Sequence, residues 1–159
     1  MTALTIALLA DHPEAVATLA EWFAGEWGDP DRPGAAETYR HSLPQRANRD
    51  RLPLCLLGLL EDDLVATATL KFREIEYSPE ADFWLGSVYV REDARGHGHG
   101  RTIVAAAETL ATAKRFTPLY LYTPSKQALY AHLGWQAVGE THADGKPAVV
   151  MRAAHRGKL

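Results

Sequence analysis

The sequence predicts one mixed α/β domain, a central sheet of about six to seven strands flanked by about four helices. Three observations predict it. The chain has 159 residues, the size of one core. Apolar runs in its first half alternate as strands do, and its second half alternates strand and helix patterns. Nothing in it reads as a repeat or a low-complexity linker, so residues 1–159 form a single domain.

Residues 3 to 9 are apolar around Thr5 and Ile6 and read as a first strand. Asp11-His12-Pro13-Glu14 then supplies a cap, an early proline and an acidic first turn for a helix over 13–26. Val16, Leu19, Ala20, Phe23 and Trp27 recur on one helical face, with Trp22 off it at a rim. Gly28 to Gly34 breaks the chain, and a second helix is expected over 35–45. Strands follow at 54–60 and 64–73, joined by Glu61-Asp62-Asp63, and another at 83–90. A helix over 99–114 presents Ile103, Val104, Ala107, Leu110 and Ala111. A strand at 119–123, a helix at 125–133 and strands near 135–141 and 147–152 complete the order.

The bulk properties exclude several classes. With 47% hydrophobic and 23% charged residues the chain has a globular composition, and its net charge of −3 argues against nonspecific nucleic-acid binding. The basic runs Arg46 to Arg51 and His155 to Lys158 read as solvated surface. A single cysteine, Cys55, sits in an apolar strand, where thiols behave as small hydrophobes. The start lacks the basic flank of a signal peptide, and the longest apolar run, 52–60, is too short to span a bilayer. A cytoplasmic protein without membrane contact is the expectation.

The segment Ser87 to Thr102 carries the chemistry. A β-branched strand runs into Arg95-Gly96-His97-Gly98-His99-Gly100 and then into an alanine-rich helix beginning near Gly100. Glycines at 96, 98 and 100 let successive N–H groups converge on a phosphate, and the helix start adds unpaired N–H groups and partial positive charge. Arg95 and Arg101 bring guanidinium groups suited to phosphate oxygens. A tight turn between strand and helix would also recruit glycine. The spacing fits neither the P-loop nor the Gly-x-Gly-x-x-Gly dinucleotide fingerprint, although an unrelated α/β nucleotide-binding domain remains a rival.

What remains, Arg95-x-x-Gly98-x-Gly100, resembles the acyl-CoA-binding loop of the GCN5-related N-acetyltransferase (GNAT) superfamily. A second segment strengthens the resemblance: Ser125-Lys126-Gln127-Ala128-Leu129-Tyr130-Ala131-His132-Leu133-Gly134-Trp135 is similar to the family's helix ending Tyr-x-x-x-Gly-Phe/Trp. The likeness covers about residues 82–152.

The resemblance implies a splayed sheet and an acetyl transfer from acetyl-CoA to a primary amine of a small molecule or peptide, by direct attack in a ternary complex. It implies that Gly96, His97, Gly98, His99, Gly100, Arg101 and Thr102, with Arg95, hold the diphosphate. Backbone groups of Val88, Tyr89 and Val90 would hold the pantetheine arm, the N–H near Val88 also meeting the oxyanion. Tyr130 would protonate the departing thiolate, its competing reading being a packing tyrosine. Ser125 stands where many members carry an asparagine against the cofactor, and reads more readily as an N-cap than as a cofactor contact. Asp82 is the named candidate for general base, with Glu74, Glu76, Glu140 and His142 behind it.

His97 and His99 lack a partner at metal-site spacing, so no metal is expected. Trp22, Trp27, Trp84 and Tyr39 either shape an aromatic acceptor pocket or pack the core. Relatives often pair as dimers, and the resemblance carries that expectation here. The alternative to an enzyme is an acyl-CoA sensor of the same fold that transfers nothing.

Overall fold

The computed structural model describes residues 3–154. The basic tail His155 to Lys158 lies outside them. Seven strands form one mixed sheet in the order β1-β2-β3-β4-β5-β7-β6: β1 Thr5–Leu8, β2 Leu54–Leu60, β3 Asp63–Phe72, β4 Phe83–Val90, β5 Leu119–Thr123, β6 Gln136–Ala143 and β7 Lys146–Arg152. Four α-helices accompany them among the described residues: α1 Val16–Trp27, α2 Ala35–Ser42, α3 His99–Lys114 and α4 Gln127–His132.

Both helices of the first half are shorter than their patterns suggest, for local reasons. Pro13 opens a 3₁₀ turn over Pro13–Ala15 before α1. Pro44, which has no N–H to donate, turns the end of α2 into the 3₁₀ segment Leu43–Arg46. At the other end of the chain, Trp135 falls outside β6. Its ring is buried and its Nε1 donates to Glu108 Oε2 at 3.1 Å, which pins the end of α4 to α3.

Sheet alternation sorts the side chains onto two faces. On one face, Leu54, Leu56, Ala68, Leu70, Leu85 and Leu121 pack against Ile103, Val104, Ala107 and Ala111 of α3, with Tyr130 and Trp135 in the same cluster. On the other, Cys55 and Leu57 pack against Leu19, Ala20 and Phe23 of α1 and Leu43 after α2. A smaller cluster of Ala81, Trp84, Tyr120 and Val150 closes the sheet beside it. Trp27, expected in the α1 stripe, is instead 46% exposed, while Trp22 tilts against Tyr89 with ring centroids 5.1 Å apart.

Candidate active site

The sheet opens in its middle. β4 and β5 run parallel and pair only at Phe83↔Leu119 and Trp84↔Tyr120. Beyond that point β4 bulges: Thr67 opposes Tyr89 but Thr69 opposes Gly86, and Ser87 takes a left-handed φ of 51°. An extra residue in one strand bends it and raises its twist, which steers Val88 to Val90 away from β5 and leaves a cleft with backbone on both walls. Val88 and Val90 lean onto the α3 side, and Tyr89 onto the α1 side.

The glycine loop lies at the open end of this cleft. Gly96 and Gly98 have φ of 85° and 83°, and a Cβ built on either would meet nothing within 4 Å. The space in front of both is therefore clear of protein. Gly98 caps α3 without a side chain, so no cap competes for the first N–H groups of the helix. Thr102 is exposed, with its N–H and hydroxyl both donating to Gly98 O at 3.0 Å. His97, Gly98 and Arg101 are exposed, and His99 and Gly100 are half-buried, with Gly100 against Val90. This arrangement fits a diphosphate. Arg95 is more committed than its sequence suggests: Nε donates to Val90 O at 2.8 Å and the guanidinium lies 5.2 Å from the Tyr89 ring centroid. Its outer nitrogens are the part left to face an anion.

After β5, α4 ends in a Schellman arrangement: Trp135 N–H donates to Tyr130 O at 3.0 Å, Gly134 N–H donates to Ala131 O at 3.0 Å, and Gly134 has φ of 97°. That turn fixes Tyr130, which is 8% exposed and whose pKa burial pushes up to about 12. The phenol therefore keeps its proton at neutral pH. Ser125 is exposed, and it does not cap the helix. Thr123 Oγ1 accepts from the N–H groups of Lys126 at 2.8 Å and Ser125 at 3.4 Å.

The fold does not bring Asp82 to this place. It sits at the closed end of β4, paired with Arg73 at 2.7 Å, and six residues of extended chain, about 20 Å, separate it from Val88. Glu76, Glu140 and His142 are exposed. Glu74 is the carboxylate that reaches the cleft. Its carboxylate lies against Gly86, beside the bulge, with Oε2 accepting from Lys71 Nζ at 2.9 Å and Oε1 buried without a hydrogen-bond partner among the described residues. Glu74 also helps to raise the Tyr122 pKa to about 12, after burial as the larger cause.

Arg46 corrects a second expectation. Rather than joining a solvated basic run, it turns under α2 and donates from Nη1 to Thr69 Oγ1 at 3.0 Å and to Ser87 Oγ at 3.2 Å. Arg49 stays on the surface, paired with Asp11. Cys55 is buried, and burial pushes its thiol pKa up, so it remains a thiol. Trp84 is fully buried as packing, and a surface groove of about 390 Å³ touches Trp27 and Tyr39 without bordering Ser87 or Val88. Among the described residues no group of three or more His, Cys, Asp and Glu side chains is placed to hold a metal, and no helix is long and apolar enough to cross a membrane.

Three comparisons bear on this geometry. The model of the acetyltransferase (GNAT) family matches residues 16–135. The Mus musculus protein N-alpha-acetyltransferase 80 is 30% identical over 129 residues, covering 79% of this chain but only 39% of that protein. Escherichia coli ElaA superposes with a TM-score of 0.62 at 22% identity, over 97% of this chain and 100% of that one. An aminoglycoside 6'-N-acetyltransferase complexed with coenzyme A superposes with a TM-score of 0.69 at 16% identity, over 97% and 99% of the two chains. At such identities the structural likeness is one of fold.

Proposed function

The chain belongs to the acetyltransferase (GNAT) family, and from that premise we propose that it moves an acetyl group from acetyl-CoA to a primary amine by direct attack in a ternary complex. The observation that carries the reading is the cleft itself. β4 and β5 pair at two positions and then part, the glycine loop follows β4 at the open end, and Tyr130, buried and holding its proton, belongs to the helix that follows β5.

In this reading the N–H groups of residues 96–101 take the diphosphate, with the helix start adding partial positive charge. Backbone groups of Val88 to Val90 lie along the pantetheine arm, and the Val88 N–H beyond the bulge meets the developing oxyanion. Acetyl-CoA supplies a thioester whose carbonyl carbon forms a C–N bond as its C–S bond breaks, the electron pair leaving on sulfur. Glu74 Oε1 takes a proton from the incoming ammonium, because a carboxylate with an unengaged oxygen beside the bulge is placed for it. Tyr130 gives its phenolic proton to the thiolate and regains, through solvent, the second proton that the nitrogen loses as the amide forms, while Glu74 releases the first to solvent. Glu74 thus takes the role that the sequence suggests for Asp82.

The test mixes the purified chain with acetyl-CoA and a panel of amines, following free thiol and acetylated product together. Amine-dependent thiol release with matching product supports transfer. Tight CoA binding without turnover on any amine would instead make the protein a sensor.

A further inference from the structure

We propose that the amine acceptor carries a carboxylate, held by Arg46 and Lys71 while Glu74 faces its ammonium group. The proposal rests on the acetyl-transfer reading and names the acceptor class that this reading leaves open.

The α1 side of the cleft holds an unbalanced polar cluster. Lys71 Nζ and Arg46 Nη1 both donate to one hydroxyl, Ser87 Oγ, at 3.0 and 3.2 Å. A single carboxylate, Glu74, accompanies the two cations, and it pairs with Lys71. The Lys71 and Glu74 side chains are only 19% and 15% exposed, so solvent screens the imbalance weakly. The other titratable groups near the two cations are the Cys55 thiol, which burial keeps protonated, and the Tyr39 phenol, so Glu74 is the carboxylate beside them.

Burial lowers the pKa of both Arg46 and Lys71, and Arg46 pushes Lys71 down further while Glu74 supports it. Two partly desolvated cations sharing a hydroxyl and one carboxylate lack a full complement of negative charge. A ligand carboxylate supplies it, and arginine's planar fork suits that ligand. The neighbouring Glu74 Oε1 is the complementary seat for a positive nitrogen. Cation pair and free carboxylate oxygen thus match an amine with an acid group a few bonds away, as in a free amino acid or an acidic residue at a peptide's N-terminus. The chain's mild overall acidity would favour a polycation at long range, but the local charge at Ser87 repels one.

The full chain with saturating acetyl-CoA is given matched acceptors: alanine against alaninamide, and tripeptide amides beginning with aspartate against asparagine, with spermidine as the polycation. The carboxylate member of at least one pair is expected to lead in kcat/KM by roughly tenfold, the first pair pointing to free amino acids and the second to peptide termini. Amides or spermidine outrunning both carboxylate members would overturn the proposal while leaving acetyl transfer intact. A binding arm needs no turnover. In the presence of CoA, N-acetylalanine or the N-acetylated aspartyl peptide should raise the Tm where the amide or asparagine analogue does not, and Lys71→Met should abolish the difference. Equal shifts for the acid and neutral forms in both pairs would overturn the proposal even for a protein that releases no thiol.

Discussion

The Glu74 carboxylate occupies the volume that a side chain at Gly86 would need: a Cβ there would lie 2.6 Å from Oε1 and 2.7 Å from Oε2. The glycine is thus the seat of the carboxylate. Gly86→Ala should fold, because the displaced group is the end of a flexible side chain, yet it should lower kcat by roughly tenfold or more, as Glu74→Gln should. Thermal unfolding beside steady-state kinetics checks both halves, and full activity in the alanine variant would separate Glu74 from the reaction.

Gly98 has open space where its side chain would be and a φ that few residues adopt. Gly98→Val should weaken CoA binding by roughly tenfold or more and cost about 1 to 2 kcal/mol of stability through backbone strain. Gly98→Asn, which tolerates the left-handed region, should lose CoA affinity with a smaller change in Tm. Calorimetric titration with CoA reads the comparison. Retained affinity in both variants would mean the loop binds nothing through its amides.

The Tyr130 pKa, about 12 in the fold against an ordinary 10.0, carries a stability consequence. Below pH 10 the phenol is protonated in folded and unfolded chains alike, so it contributes no pH dependence. Between about pH 10 and 12 the unfolded chain ionises first, and stability falls as pH rises, by about 1 kcal/mol at pH 11 and approaching 3 kcal/mol beyond the folded value. Urea unfolding at about pH 9 and pH 11 should show Tyr130→Phe losing less stability than wild type. The same variant should lower turnover at neutral pH with CoA affinity held.

Thr123 Oγ1 holds the turn that leads into α4, accepting from the N–H groups of Ser125 and Lys126, while no side chain caps the helix itself. Thr123→Ala should cost about 1 kcal/mol, whereas Ser125→Ala should lie within about 0.5 kcal/mol of wild type. Denaturant midpoints decide, and the reverse order would take the turn away from Thr123.

The glycine loop and the Tyr130-to-Trp135 turn were legible in the sequence because each is a short run whose spacing is its geometry. The carboxylate was not, because choosing Glu74 over Asp82 requires knowing how residues 73–82 fold back. There Arg73 has φ of 48°, its N–H donates to Asp82 O at 2.7 Å, and Tyr77 reaches across to β6, where a side chain on Gly139 would collide with its hydroxyl. One local signal was available: an isolated glycine inside a strand pattern marks a bulge or a close approach, and Gly86 adjoins the bulge and is closely approached by Glu74. Arg46 was hidden by its neighbours, since charge density along the chain cannot show which of several basic residues turns inward. The shorter α2 was legible in Pro44, which has no N–H to continue the helix.

The parting of β4 from β5 leaves two lengths of strand inside the sheet whose main-chain groups face each other without meeting. Such margins are adhesive toward any extended peptide. A pantetheine chain with its own two amides would behave there as a borrowed strand, and chaperoning by its ligand follows: stored without CoA, the protein should self-associate faster than with it.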